Sequence, residues 1–306
     1  MLQRSTSCDE SDRRTRRSFL KVSTGIVTAA AGIGMGDSAR AGDLGGDDGD
    51  YTAPPSFPEI STRDQFTDDG ELKDEYSETE YETVGDWESS RGDDDQAIVV
   101  FVHGWSLDEA DATDAAYTCE VGLDENEYEG FTVGFTWDAD QGEGIGWETG
   151  VDIATQNGPK LAQWVIDHVD GGGLPVRLIG HSLGARVVVE ALASLKGRER
   201  DDAVTSATLL GGAIGETAVE TDEAYGDAIE YAAASFDNFH KDDDLVLSLA
   251  FSAAEWAEAV GEEGIKNPSD APGNYTDHEV TATVEDHNSY YEPEEGCMPA
   301  VVETFQ

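Results

Sequence analysis

Residues 176–189 read Val-Arg-Leu-Ile-Gly-His-Ser-Leu-Gly-Ala-Arg-Val-Val-Val. The apolar run ending at Ile179 has the length and branching of a buried strand, whereas the residues from Leu183 onward recur at helical spacing. Gly180-His181-Ser182-Leu183-Gly184 must therefore turn the chain sharply between the two. A strand, a tight Gly-x-Ser-x-Gly turn and a helix form a nucleophile elbow, which lifts the central serine, Ser182, above the end of a sheet. Glycine is needed at 180 and 184 because strand and helix backbones approach too closely there for a Cβ.

The pattern on either side alternates strand and helix. Upstream, a strand over 97–102 ends at His103-Gly104-Trp105, a helix follows over about 108–120, and a strand over 131–136 leads to Trp137 and a glycine-rich loop. Residues 147–169 have helical periodicity, with Pro159 placed to kink it. Downstream come a strand over 204–210, a short helix around 224–232, a strand near 235–239 and the run Lys241-Asp242-Asp243-Asp244. A helix is expected from 245 to about 260, and a last strand over 280–284, ending at Asp286-His287. This order dictates a mostly parallel sheet covered by helices on both faces, with functional loops at the strands' carboxyl ends. Residues 57–95 alternate weakly and add one or two antiparallel strands at a sheet edge.

Composition sets the surface. The chain has 306 residues, with 18 Lys plus Arg against 66 Asp plus Glu, a formal charge of -48. Self-repulsion of that size works against the compact state at low ionic strength, and it disfavours nucleic acid and anionic lipid as partners. At molar salt the Debye length shrinks to about 3 Å and the repulsion is largely screened. The acidic residues are spread along the whole chain, as in proteins adapted to high salt. Apolar runs at 97–102, 176–179 and 245–251 separate it from an acidic disordered chain.

Residues 1–41 read as an address. Thr15-Arg16-Arg17-Ser18-Phe19-Leu20-Lys21 is similar to a twin-arginine export signal, and the weakly apolar segment over 22–35 is too short to span a bilayer. Ala39-Arg40-Ala41 offers a cleavage site, so the expected partner is the twin-arginine export machinery and the expected location extracellular. No stable membrane insertion is expected after cleavage. Residues 42–56 form an acidic Gly/Asp/Pro linker, and 57–306 the functional domain. Cys119 and Cys297 then remain as a candidate disulfide pair in an oxidising compartment. Neither has the spacing of a zinc site, and no His-Glu-x-x-His motif occurs, so no metal and no cofactor is expected.

With these motifs assembled, residues 97–306 resemble the α/β-hydrolase superfamily. The elbow at Ser182, the strand-ending Phe101-Val102-His103-Gly104-Trp105, an acid after a later strand and a histidine after the last strand follow that superfamily's order. The resemblance implies a Ser-Asp-His triad and a carboxylic ester substrate, small or lipid-like, cleaved through an acyl-enzyme. Thioesters, amides and polyesters use the same machinery, and a non-catalytic binding protein is the alternative of a different class. A serine hydroxyl needs a base within reach and a carboxylate to orient that base. His287, at a strand's carboxyl end, is the expected base. The family pattern favours Asp244 as the acid, with Asp243 as runner-up. Backbone N–H groups of Trp105 and Leu183 are the oxyanion donors that the resemblance implies. Trp105 and Trp137 would wall an acyl pocket. The connection between the strand ending near Leu210 and the acid is too short for a large cap domain.

Overall fold

The structure, a computed structural model, describes residues 51–306 except 93–94, 141–145 and 256. The export signal expected over 1–41 and residues 42–50 of the expected linker lie outside the described residues. From Ala53 the chain is already tied down, its N–H donating to Asp114 Oδ1 at 2.7 Å.

In chain order the first elements are β1 (Glu59–Ser61), β2 (Glu82–Val84), a one-turn helix α1 (Trp87–Ser90), β3 (Ile98–Val102), α2 (Glu109–Glu125) and β4 (Phe131–Thr136). They are followed by α3 (Trp147–Asp170), β5 (Val176–His181), α4 (Gly184–Gly197), β6 (Ser206–Leu210), α5 (Gly226–Ala232) and β7 (Phe236–His240). A π-helical turn over Leu247–Phe251 runs into α6 (Ser252–Glu255), and α7 (Val260–Glu263), β8 (Tyr275–Glu279) and α8 (Met298–Thr304) complete the chain. The strands form one sheet in the order β2-β1-β4-β3-β5-β6-β7-β8. Every neighbouring pair is parallel except β1 with β2.

Strand β3 shows why the sheet is covered twice. Its five residues are all apolar and all buried. Ile98, Val100 and Val102 point into a core shared with α3, α4 and α5, while Val99 and Phe101 point into a second core with α2 and α8. Period-two alternation thus delivers apolar side chains to both faces, as a central parallel strand requires. Each fully buried residue of this size contributes about 1.5–3 kcal/mol. The sequence reverses direction at β3: β4 lies on one side of it and β5 on the other. The crevice above such a switch point is where open α/β sheets hold their sites.

At the edge one strand, β2, runs antiparallel, within the one or two expected, while β1 pairs in parallel with β4. Two other expectations need correction. The last strand is Tyr275–Glu279, not 280–284; Val280 and Val284 are instead buried at the two ends of a turn closed by Val284 N–H to Val280 O at 3.0 Å. The helix expected over 245–260 breaks, because Ala259 leaves it to bridge Gly215. No cap domain intervenes between β6 and β7, where the connection holds the single helix α5.

Candidate active site

At the end of β5 the chain turns through Ser182, which sits at φ 51°, a left-handed conformation that costs a non-glycine residue energy and is met at functional turns. A Cβ on Gly180 would lie 2.9 Å from Ala185 Cα, so the strand-to-helix approach requires glycine there. A Cβ on Gly184 would lie 2.2 Å from Val102 O, so this second glycine makes room for the end of β3 rather than for β5. The elbow is fixed to its neighbours by Ser182 N–H to Leu210 O (3.0 Å) and Ala213 N–H to Ser182 O (2.9 Å).

The structure brings Ser182, His287 and Asp244 together. Ser182 Oγ donates to His287 Nε2 at 2.9 Å, and His287 Nδ1 donates to Asp244 Oδ2 at 2.7 Å. All three are buried, Asp244 the most completely. The other oxygen of Asp244 accepts the N–H groups of Val246 and Leu247, each at 3.1 Å, so the carboxylate also caps the turn that follows it. Burial alone raises the Asp244 carboxyl pKa, but the charge of His287, its hydrogen bond and the Leu247 N–H outweigh that and hold it below its usual value. Asp242 and Asp243 point outward, Asp243 pairing with Lys241.

Two further side chains, not singled out by sequence, hold this arrangement. His181 is buried, and its Nε2–H donates to the backbone carbonyl of His287 at 2.7 Å. Burial, with the nearby His287, lowers its pKa to about 3, so it is a neutral donor. The Tyr290 hydroxyl lies 3.3 Å from Gly261 O and 3.5 Å from Asp244 Oδ2. No sequence signal marks Tyr290; the His181 role follows only once the His287 loop is seen to cross the elbow.

On the other wall, Gly104 stands so close to Ser182 that a Cβ there would lie 3.0 Å from the serine Cβ. Leu183 immediately precedes α4, where helical N–H groups and the helix dipole favour a developing negative charge. His103 is buried as well; its Nδ1–H donates to Gly104 O (2.8 Å) and its Nε2 accepts from Trp137 N–H (3.2 Å), fixing the turn that carries Gly104 and Trp105. Burial and the adjacent Arg63 guanidinium keep His103 neutral.

Two candidates do not perform as expected. Trp137 is fully buried in the main core, with its indole N–H on His103 O at 3.1 Å, and so cannot wall a pocket. Cys119 and Cys297 are free, buried thiols in one apolar cluster. Cys297 Sγ–H donates to Tyr290 O at 3.4 Å, and burial pushes both thiols far up in pKa, which favours the protonated form. The remaining histidines are structural: His168 bonds Leu174 O (3.0 Å), His278 bonds Asp237 (2.8 Å) and His240 bonds Glu262 O (3.2 Å). Among the described residues, no group of three or more His, Cys, Asp or Glu is arranged to hold a metal ion. No helix among them is long and apolar enough to cross a membrane.

Comparison with known proteins gives a family. A family model described as "Protein of unknown function (DUF726)" matches residues 144–302, which include the elbow, Asp244 and His287. The chain belongs to the DUF726 family. A rice (Oryza sativa subsp. japonica) relative, "Transmembrane and coiled-coil domain-containing protein STS1", is 32% identical over 144 residues. That match takes in 47% of this DUF726 chain and 21% of the rice protein. Among solved structures, TT1662 from Thermus thermophilus is similar at a TM-score of 0.44 and 15% identity, over 69% of this chain and 87% of that one. The mature Bacillus licheniformis lipase BlEst2 is similar at 0.40 and 15%, over 71% and 94%.

Proposed function

We propose that this DUF726 protein is a serine hydrolase of carboxylic esters, acting through an acyl-enzyme on Ser182. The supporting observation is the unbroken chain Ser182 Oγ, His287, Asp244 at 2.9 and 2.7 Å, set at the switch point of the sheet. In the reaction, His287 Nε2 accepts the Ser182 proton as Oγ attacks the ester carbonyl. The resulting oxyanion meets the backbone N–H groups of Leu183 and Trp105, donors that need no reorganisation when charge develops. Each such donor contributes about 3 kcal/mol to the transition state. His287 then passes its proton to the leaving alkoxide, and the carbon–oxygen bond breaks. Water, deprotonated by the same imidazole, attacks the acyl-enzyme and releases the carboxylic acid, returning the proton to Ser182. Asp244 holds the imidazole in the Nδ1–H tautomer throughout.

The Arg16-Arg17 signal and the charge of -48 support action outside the cell at high salt, after twin-arginine export. The test is labelling with a serine-reactive fluorophosphonate in molar KCl. One adduct is expected on the wild-type protein and none on Ser182→Ala. An undiminished adduct on folded Ser182→Ala, or no adduct on folded wild type, would leave a binding protein rather than an enzyme.

A further inference from the structure

Helix α3 carries two internal glycines, Gly150 and Gly158, both buried. Glycine inside a helix is less stable than alanine, so each position needs a reason. For Gly158 the reason is the neighbouring helix: a Cβ there would lie 2.3 Å from Glu190 Cβ and 2.7 Å from the Glu190 carbonyl carbon, on α4. Gly150 meets something else. A Cβ there would lie 2.9 Å from Trp105 Cδ1, 3.0 Å from Trp105 Nε1 and 3.4 Å from Leu183 Cδ2. These are the two residues whose backbone N–H groups are assigned to the oxyanion in the reaction above.

Both side chains thus rest on one spot of α3, and that spot is bare backbone. Trp147, one turn earlier on the helix, closes on the indole edge-on at 5.6 Å between ring centroids. Among the described residues the buried Trp105 Nε1–H has no hydrogen-bond partner, so packing rather than a directed bond locates the ring. Cδ1 is only two bonds from the Trp105 Cβ. Yielding to a methyl group at 150 therefore means rotating the whole ring or moving the turn that carries it. That turn has little slack, because Gly104 abuts Ser182 on one side of Trp105 and Ser106 is held at φ 71° on the other.

We propose that Gly150 is a positioning residue of the oxyanion site: its missing side chain lets α3 seat the Trp105 indole and the Leu183 side chain together, and that seat sets where the two N–H groups point. This inference rests on the hydrolase reading above. It assigns the rigidity of the donors to a helix that supplies no member of the triad. Such donors act on charge that develops only in the transition state, so displacing them lowers kcat and leaves KM nearly unchanged.

The experiment follows hydrolysis of p-nitrophenyl acetate in molar KCl. Gly150→Ala is expected to lower kcat about 10- to 100-fold, with KM within about twofold of wild type. It is also expected to weaken inhibition by a trifluoromethyl ketone, which adds to Ser182 Oγ and places its oxyanion at the donors, by the factor that kcat/KM falls. Trp105→Ala removes the clash and keeps the backbone N–H, so in that background Gly150→Ala is expected to change kcat by less than about threefold. An unchanged kcat in folded Gly150→Ala overturns the proposal. So does an equal fall in both backgrounds, which would make the glycine a matter of the helix alone. Where Gly150→Ala by itself does not fold, Gly150→Ala/Trp105→Ala decides: it is expected to fold and to match Trp105→Ala, and failure to do either overturns the proposal. Failure of the underlying reading looks different: wild type would then show no Ser182-dependent hydrolysis, and the positioning role falls with it.

Discussion

The imidazole of His181 is buried, yet it ties the two ends of the site together. One hydrogen bond joins the elbow to the loop that carries His287, and the ring also packs edge-on against Tyr291 at 5.0 Å. Removing the donor would leave the His287 carbonyl buried and unsatisfied, at about 1–3 kcal/mol, and free the loop to drift. Misplacement of a catalytic group by about 1 Å is enough to cost on the order of a hundredfold in rate. His181→Phe, which keeps a ring but loses the N–H, is therefore expected to lower kcat about 10- to 100-fold with little change in KM. His181→Gln, able to present an N–H near the same place, is expected to recover most of it. Equal kcat in wild type and His181→Phe would show that the bond does not position the base. At this scale Ser182 was legible from the glycine-bounded turn between strand and helix, whereas Asp244 was preferred to Asp243 only through the family resemblance, and His287 was placed after a strand that in fact lies at Tyr275–Glu279. Trp137 was not legible, because a tryptophan after a strand has the same pattern whether it faces a cleft or, as here, the core.

Strands β3 to β7 were readable because buried parallel strands are short apolar runs between helical stretches, and few other segments of this acidic chain are apolar. Strand β8 escaped for the converse reason. It is an edge strand, Tyr-Thr-Asp-His-Glu, with no fully buried residue, while the adjacent Val-Thr-Ala-Thr-Val has strand composition but only anchors a turn. The segment over 65–80 was equally opaque, since what holds it is a cation from another element. Lys160, inside α3, is fully buried, and its Nζ donates to Gln65 Oε1 (2.7 Å), Ser77 O (2.6 Å) and Glu80 O (3.3 Å). Burial lowers its pKa to about 8, against about 10.4 in an unfolded chain. Between those values the unfolded state binds the extra proton, so stability must rise with pH, by up to about 1.4 kcal/mol per unit. Urea unfolding at a series of pH values between about 7.5 and 9.5 should show that rise in wild type and a flatter profile in Lys160→Met. A wild-type stability that falls over this interval while Lys160→Met tracks it would mean that the ammonium is not destabilised by its burial.

The whole molecule carries a charge that its pairings do not neutralise. Among the described residues, Lys and Arg side chains meet carboxylates at Lys196–Asp227, Arg200–Asp170, Lys241–Asp243 and Lys266–Glu216; the first two pairs are exposed at both ends, and pairs of that kind contribute little. With 66 acidic against 18 basic residues, most carboxylates cannot have a basic partner of their own. Folding brings those charges together, and the unfolded chain lets them separate, so the repulsion is a cost borne chiefly by the native state. Its range is the Debye length, about 10 Å at 0.1 M salt and about 3 Å at 1 M. The thermal midpoint should therefore climb steeply from low salt to about 1 M KCl, where screening is nearly complete, and more gently beyond, where exclusion of salt from the surface takes over. Sucrose at matched osmolality acts by exclusion alone and should raise Tm much less over the first part of that range. The comparison separates the two causes: a Tm that follows osmolality regardless of ionic strength, or one that does not move between low and molar KCl, would mean that the folded carboxylates are spaced widely enough for water alone to keep them apart.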